Sequence, residues 1–298
     1  MASVTFVHPL FLAHDETEQA AGSVYFPLGL LYLASYVRDH GHDVTIFDGT
    51  FEHSYDAFEQ HLAEHQPQIV GISSVLTAKR AALDLAALAA QAGATVIFGG
   101  PDPTADPATY LANEHVDIVV HHEGEQTITR LLDLVDADQL SIDQVAVEPG
   151  VAYRVDGELR VNDPRPPIEH LDELPLPARD LIDMDRYLHQ WQDDNGYTSI
   201  TVATSRGCPY GCEWCADAVH GDGFRQRSPE SVAAEIKQLK DIYGVQSIRI
   251  VDDVDGIDRE WFDDWAKAAK DIDGAVPFEA LNRLDRTDLA LLDVRDTL

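Results

Sequence analysis

Residues 199–215 read SITVATSRGCPYGCEWC: a β-branched run that breaks at Arg206-Gly207 into a loop holding all three cysteines of the chain, Cys208, Cys212 and Cys215. The C-x3-C-x2-C spacing puts three thiolates on one short loop. They can take three irons of a [4Fe-4S] cubane and leave the fourth iron without a protein ligand. The competing metal reading is a Cys3His zinc site completed by His220. An odd number of cysteines supplies no complete disulfide framework and points to a reducing, cytoplasmic compartment.

Downstream of this loop the pattern predicts a helix over 229–243, a strand over 247–251, a helix over 259–270, a strand near 277–282 and a helix from Thr287. With the strand at 199–204 that makes three βα units. Upstream, the first 135 residues alternate apolar runs at 4–8, 44–48, 69–73, 95–99 and 118–121 with amphipathic stretches starting at Leu30, Tyr55, Lys79, Pro107 and Glu125. This is the pattern of a parallel sheet covered by helices, which binds ligands beyond the carboxyl ends of its strands. Those ends carry Asp48-Gly49, Ser73-Ser74, Gly99-Gly100-Pro101 and Glu123-Gly124-Glu125. Glycine there either lets a flat ligand approach or simply makes a tight turn. Between the two regions, 151–161 reads as a hairpin turning at Asp156-Gly157, and a proline-rich stretch follows at 164–177. The expected domains are 1–135, a connecting segment 136–197, and 198–298.

The chain has 298 residues and 45% apolar content, enough for a core in each region. Its formal net charge of -32 repels phosphate backbones, which argues against nucleic acid as a partner. Acidic residues spread along the whole sequence resemble the solvated surfaces of salt-loving archaea. No run approaches the roughly 20 apolar residues of a membrane span, and the N-terminus lacks a signal-peptide pattern.

The cysteine loop resembles that of radical S-adenosylmethionine enzymes: Cys208, Cys212 and Cys215 match their cluster motif, and Trp214 holds its aromatic position. The resemblance implies that S-adenosylmethionine chelates the open iron and that Trp214 packs near its adenine. Residues 224–230 resemble the family's turn into its first barrel helix. Asp252 and Asp253 resemble an acidic pair at the barrel mouth, although capping the following turn is an equal alternative. Pro27-Leu28-Gly29-Leu30, Gly71-Ile72-Ser73-Ser74, Gly99-Gly100-Pro101, Glu123-Gly124-Glu125 and Leu171-Asp172-Glu173-Leu174-Pro175 resemble the class fused to a cobalamin-binding domain. That class includes methyltransferases and the anaerobic magnesium-protoporphyrin ester cyclase. Its implied fold is α/β: a flavodoxin-like, doubly wound parallel sheet followed by a partial (β/α) barrel.

By the same resemblance Ser73, Ser74, Gly99, Gly100, Pro101, Glu123, Gly124 and Glu125 are expected at a cobalamin site. No catalytic residue is assigned beyond the cluster cysteines. The chain departs from the D-x-H-x-x-G cobalamin signature: Gly49-Thr50-Phe51-Glu52-His53 follows Asp48, with no histidine in the ligating position. A nucleotide tail would therefore leave cobalt and lie in the sheet crevice. Asp102 stands where many relatives have histidine and receives no role. His8, His121 and His122, at strand ends, are read as structural or exposed rather than as cobalt ligands. Six βα units are usual for the barrel, so three imply a truncated product, a fragment, or a second chain that completes it. The expected activity is methyl transfer, cyclisation or rearrangement at an unactivated carbon of a small molecule, with electrons from a ferredoxin or flavodoxin. The alternative is a non-catalytic cofactor-binding or partner protein.

Overall fold

A computed structural model describes residues 1–22, 24–213, 215, 219–220 and 223–283. The Trp214 assignment and the helix expected from Thr287 lie outside the described residues.

The first sheet comprises β1 (Ser3–His8), β2 (Asp43–Asp48), β3 (Ile69–Ser73), β4 (Thr95–Gly99), β5 (Ile118–Val120), β6 (Val151–Val155) and β7 (Glu158–Val161). Their order is β2-β1-β3-β4-β5-β6-β7, and the first five strands run parallel. β1 sits between β2 and β3, so the direction of winding reverses there and a crevice opens at the strands' carboxyl ends. The hairpin read from sequence as part of the connection pairs antiparallel with β5, Val119 opposite Ala152, and extends the sheet to seven strands.

Helices cover both faces, which is why the central strands are nearly continuous apolar runs. Helices Leu28–Asp39 and Glu125–Asp136 pack on one face through Leu31, Ala34, Ile128 and Leu131. Helices Asp56–His65 and Lys79–Gln91 pack on the other through Phe58, Leu62, Leu85 and Ala89.

The second sheet is parallel, ordered β12-β11-β8, from β8 (Ser199–Val202), β11 (Ser247–Ile250) and β12 (Phe278–Glu279). Helices Pro229–Tyr243 and Arg259–Asp271 connect these strands, as their sequence periodicity predicts. Ser228 and Asp258 cap them, each side chain accepting a backbone N–H three residues on. Among the described residues this is a three-strand βα arrangement of the partial-barrel type. Its apolar side chains, including Ile200, Ile248 and Trp261, belong to the same core as Phe6 of the first sheet and Leu31 of the helix packed on it. The two units are therefore joined by shared burial, which resists separation more than a polar seam would.

The proline-rich connection lies along helix Leu28–Asp39. Ser35 Oγ donates to the Leu176 carbonyl at 2.6 Å, the Ala178 N–H donates to the Leu31 carbonyl at 3.0 Å, and Arg38 makes a bidentate pair with Asp180. The connection then forms helix Met184–Asn195, which the sequence reading missed. Tyr187 fastens it to the end of β2, with its hydroxyl within 2.7 Å of Asp48 and 2.8 Å of Thr50.

Candidate cofactor cleft

A cleft enclosing about 940 Å³ of free space, mouth included, opens beyond the carboxyl ends of β3, β4 and β5. Phe6, Leu30, Leu33, Ile97, Val120 and Ile128 form its apolar interior, and Ser73, Gly99, Gly100, Pro101, His122, Glu123, Gly124 and Glu125 bring the strand-end turns to it. Arg206, Val219 and His220 reach the same cleft from the cysteine-loop side. An adjoining cleft over β1 and β3 is lined by His8, Tyr25, Phe26 and Pro27 and shares Gly29, Leu30 and Ser73 with the first. The combined space matches the size and apolar lining of a cofactor site.

Two glycines distinguish turn-making from clearance. Gly100 has φ +97°, and a Cβ there would stand 2.9 Å from the Ser74 carbonyl, so the chain itself requires glycine. Gly29 lies in a helix, where glycine is unfavourable, and its Cβ would meet nothing within 4 Å. Nothing in the protein demands glycine at 29, and its absent side chain leaves space where the two clefts adjoin.

Charge concentrates at the mouth. β9 (Ser205–Arg206) and β10 (Arg225–Gln226) pair antiparallel, zipping the two ends of the cysteine loop together with Arg206 opposite Arg225. Both guanidinium groups approach Glu123, at 3.7 and 2.7 Å, and Arg206 lies 2.6 Å from Glu125. His220 Nδ1 stands 3.5 Å from the same Glu123 oxygen. The other carboxylate oxygen accepts the Ile168 N–H at 2.8 Å. Burial alone would raise the Glu123 pKa, but His220, Arg206, the Ile168 N–H and Arg225 outweigh it and hold the carboxyl at about 2.

A depressed folded-state pKa stabilises the fold above the unfolded value, and that contribution disappears as pH falls through the folded value. Glu123→Gln should therefore lose on the order of 2–3 kcal/mol near neutrality. Wild type and variant should converge between pH 4.5 and about 2. Urea unfolding midpoints across that range test this, and a difference that ignores pH would contradict it.

Asp252 is buried at the end of β11. It accepts from the backbone N–H of Thr204 at 2.7 Å and of Ser205 at 3.2 Å, and from both hydroxyls. Burial raises its pKa against those bonds. Its carboxylate is thus occupied in holding the turn between β8 and the cysteine loop. Cys208 and Cys212 are half-buried, Cys215 is exposed, and all three thiols are free of disulfides. Arg283 lies over the Tyr210 ring and within 3.7 Å of Cys212 Sγ. Among the described residues, no three His, Cys, Asp or Glu side chains converge as a metal site. No helix among those residues is long and apolar enough to cross a membrane.

Of the residues expected at the cofactor, Ser73, Gly99, Gly100, Pro101, Glu123, Gly124 and Glu125 come together on the cleft. Ser74 does not line it: its hydroxyl shares a 2.9 Å hydrogen bond with Tyr110. Asp252, Asp253 and the cysteines lie beyond the cleft lining. The sequence reading carried Gly29, Arg206 and Arg225 only inside motif stretches and gave none of them a role of its own at the site. Scarcity was the available signal, because a chain with 21 Lys and Arg against 53 Asp and Glu places two of its arginines at the ends of one loop.

The sequence of residues 19–132 matches the B12 binding domain. This first unit is a B12-binding domain. The second sheet completes a fold shared with the radical S-adenosylmethionine enzymes compared below. It is 34% identical over 256 residues to an uncharacterised methyltransferase of Pyrococcus horikoshii, covering 83% of this chain and 54% of that protein. It is 27% identical over 248 residues to the anaerobic magnesium-protoporphyrin IX monomethyl ester cyclase of Synechocystis, covering 81% and 48%. The chain spans about half the length of the curated relatives it matches.

The solved structure of OxsB, a cobalamin-dependent S-adenosylmethionine radical enzyme with aqua-cobalamin and S-adenosylmethionine bound, shares the fold. The TM-score is 0.78 at 18% identity, over 100% of this chain and 42% of that one. The radical S-adenosylmethionine methyltransferase TsrM from Kitasatospora setae does so at 0.69 and 17%, over 89% and 50%. The B12-binding domain ends within helix Glu125–Asp136, so its last strand-end turn supplies Glu123 and Glu125 to the arginines that bracket the cysteine loop.

Proposed function

We propose that this chain serves radical S-adenosylmethionine chemistry assisted by cobalamin, acting on an unactivated carbon by methyl transfer, cyclisation or rearrangement. One juxtaposition supports the reading: the cleft of the B12-binding domain is walled on one side by Arg206, Val219 and His220, which flank the three cysteines. When bound, a [4Fe-4S] cluster supplies the electron that splits S-adenosylmethionine, and cobalamin supplies a carrier for a methyl group. Cys208, Cys212 and Cys215 are the donors for three cluster irons, and three thiols outside any disulfide, on a loop with a zipped base, fit that task. Trp214 would seat the adenine, and a ferredoxin or flavodoxin would be the electron source.

The cleft fits cobalamin on two counts. Gly29 leaves clearance that the protein does not use, and His8, which lines the adjoining cleft, has its Nε2 buried without a hydrogen-bond partner among the described residues. Burial pushes the His8 imidazole below its usual range, with Asp48 opposing. The neutral ring is a poor cation and a ready polar contact.

Hydroxocobalamin added to the purified chain should bind in a tail-off form, with a spectrum unlike that of histidine-ligated cobalt. After anaerobic reconstitution with iron and sulfide, the chain should cleave S-adenosylmethionine to 5′-deoxyadenosine. Absence of corrinoid binding would remove the cobalamin half of the proposal. A cluster that forms without nucleoside release would favour a non-catalytic cofactor-binding role.

A further inference from the structure

His122 is a histidine held in a backbone conformation that favours glycine. It follows β5 with φ +62°, in the left-handed region that costs a side-chain-bearing residue energy. Such strain persists where the surroundings impose it, and it clusters at binding sites. Its backbone N–H is fixed by Thr104 Oγ1 at 3.2 Å, and its ring meets His121 edge-on, with centroids 5.2 Å apart. No hydrogen bond to its ring nitrogens is made among the described residues, and the residue lines the cleft where the apolar interior meets the charged mouth. The neighbouring cations are engaged: Arg206 by Glu123 and Glu125, Arg225 by Glu123. In a chain of net charge -32, an anionic ligand group entering this cleft needs a local donor that is not already neutralised.

We infer that the His122 imidazole donates a hydrogen bond to the phosphodiester of a corrinoid's nucleotide tail, whose base lies in the apolar interior of the cleft. This rests on the cobalamin reading above. It makes His122 a specificity residue that separates complete corrinoids from those lacking the tail.

Equilibrium dialysis of the full chain against hydroxocobalamin and against dicyanocobinamide, which has the macrocycle but no nucleotide, tests the assignment. Wild type should bind the complete corrinoid more tightly. His122→Gly should weaken hydroxocobalamin binding roughly tenfold or more while leaving cobinamide binding unchanged. Its urea midpoint should stay the same or rise, because glycine relieves the left-handed strain. His122→Asn, which tolerates that backbone but cannot reach as far, should show the same selective loss and serves if the glycine variant misfolds. Equal hydroxocobalamin binding by wild type and either folded variant, or equal loss of both corrinoids, would overturn the inference. A wild type that binds neither corrinoid would instead bring down the cobalamin reading, and this inference with it.

Discussion

Glu235→Ala should destabilise the chain by about 3–5 kcal/mol, because it strands two buried guanidinium groups without a counter-charge. Glu235 is 1% exposed; Arg179 lies 2.8 Å from one of its oxygens, and Arg227 is paired with the other. Arg227 also donates to the Ala203 carbonyl at 3.1 Å and to the Tyr32 hydroxyl at 3.3 Å. Arg179 reaches the Thr201 carbonyl at 3.3 Å. One carboxylate thus gathers the connecting segment, the end of β8, the first helix of the second unit and helix Leu28–Asp39 of the B12-binding domain. Burial first, and Glu235 second, push the Tyr32 pKa up to about 12, so its hydroxyl stays protonated.

Urea unfolding of Glu235→Ala and Glu235→Gln measures the effect, and Gln should recover part of the loss because it keeps the volume and one acceptor. Glu235→Met combined with Arg227→Met should lose less than the sum of the two single changes, since removing both partners leaves fewer uncompensated charges. A loss below about 1 kcal/mol for Glu235→Ala would mean that solvent already shields the arginines.

The legible and illegible parts of this molecule divide along physical lines. Strands β3 and β4 and helix Pro229–Tyr243 were legible to the residue, because β-branched runs and a Ser-Pro helix start carry strong local signals. The hairpin was legible as a hairpin from Asp156-Gly157, but not as the edge of the sheet. Pairing with β5 depends on long-range register, which short alternating strands do not encode. Helix Met184–Asn195 was missed because it follows a proline-rich stretch and because Tyr187 and Trp191, which bury it, are spaced among seven charged or amide side chains.

At the site, the strand-end motifs marked the correct side of the sheet. Asp252 was placed at the end of its strand, but sequence could not show that two backbone N–H groups and two hydroxyls consume its carboxylate. His122 gave no signal, since a left-handed φ on a histidine is invisible until the backbone is seen.

Replacing Cys208, Cys212 or Cys215 singly by alanine should abolish the iron-sulfur absorption of the anaerobically reconstituted chain, whereas His220→Ala should retain it. The contrast follows from where the structure places the groups. A Cys3His zinc site built on the same loop needs a histidine as its fourth donor, and His220 is the nearest histidine in sequence. In the fold, however, His220 Nδ1 faces Glu123 at 3.5 Å, across the seam with the B12-binding domain, and contributes to holding that carboxyl at about 2. A histidine engaged there orients the loop against the cleft and is a second contact for Glu123 beside Arg206 and Arg225. Three corners of a cubane need only the cysteines, which leaves the fourth iron for a small molecule. Iron and acid-labile sulfide analysis of the four variants separates the cases. A colourless wild type with one tightly held zinc, released equally by His220→Ala and by any cysteine change, would replace the cluster with a structural metal.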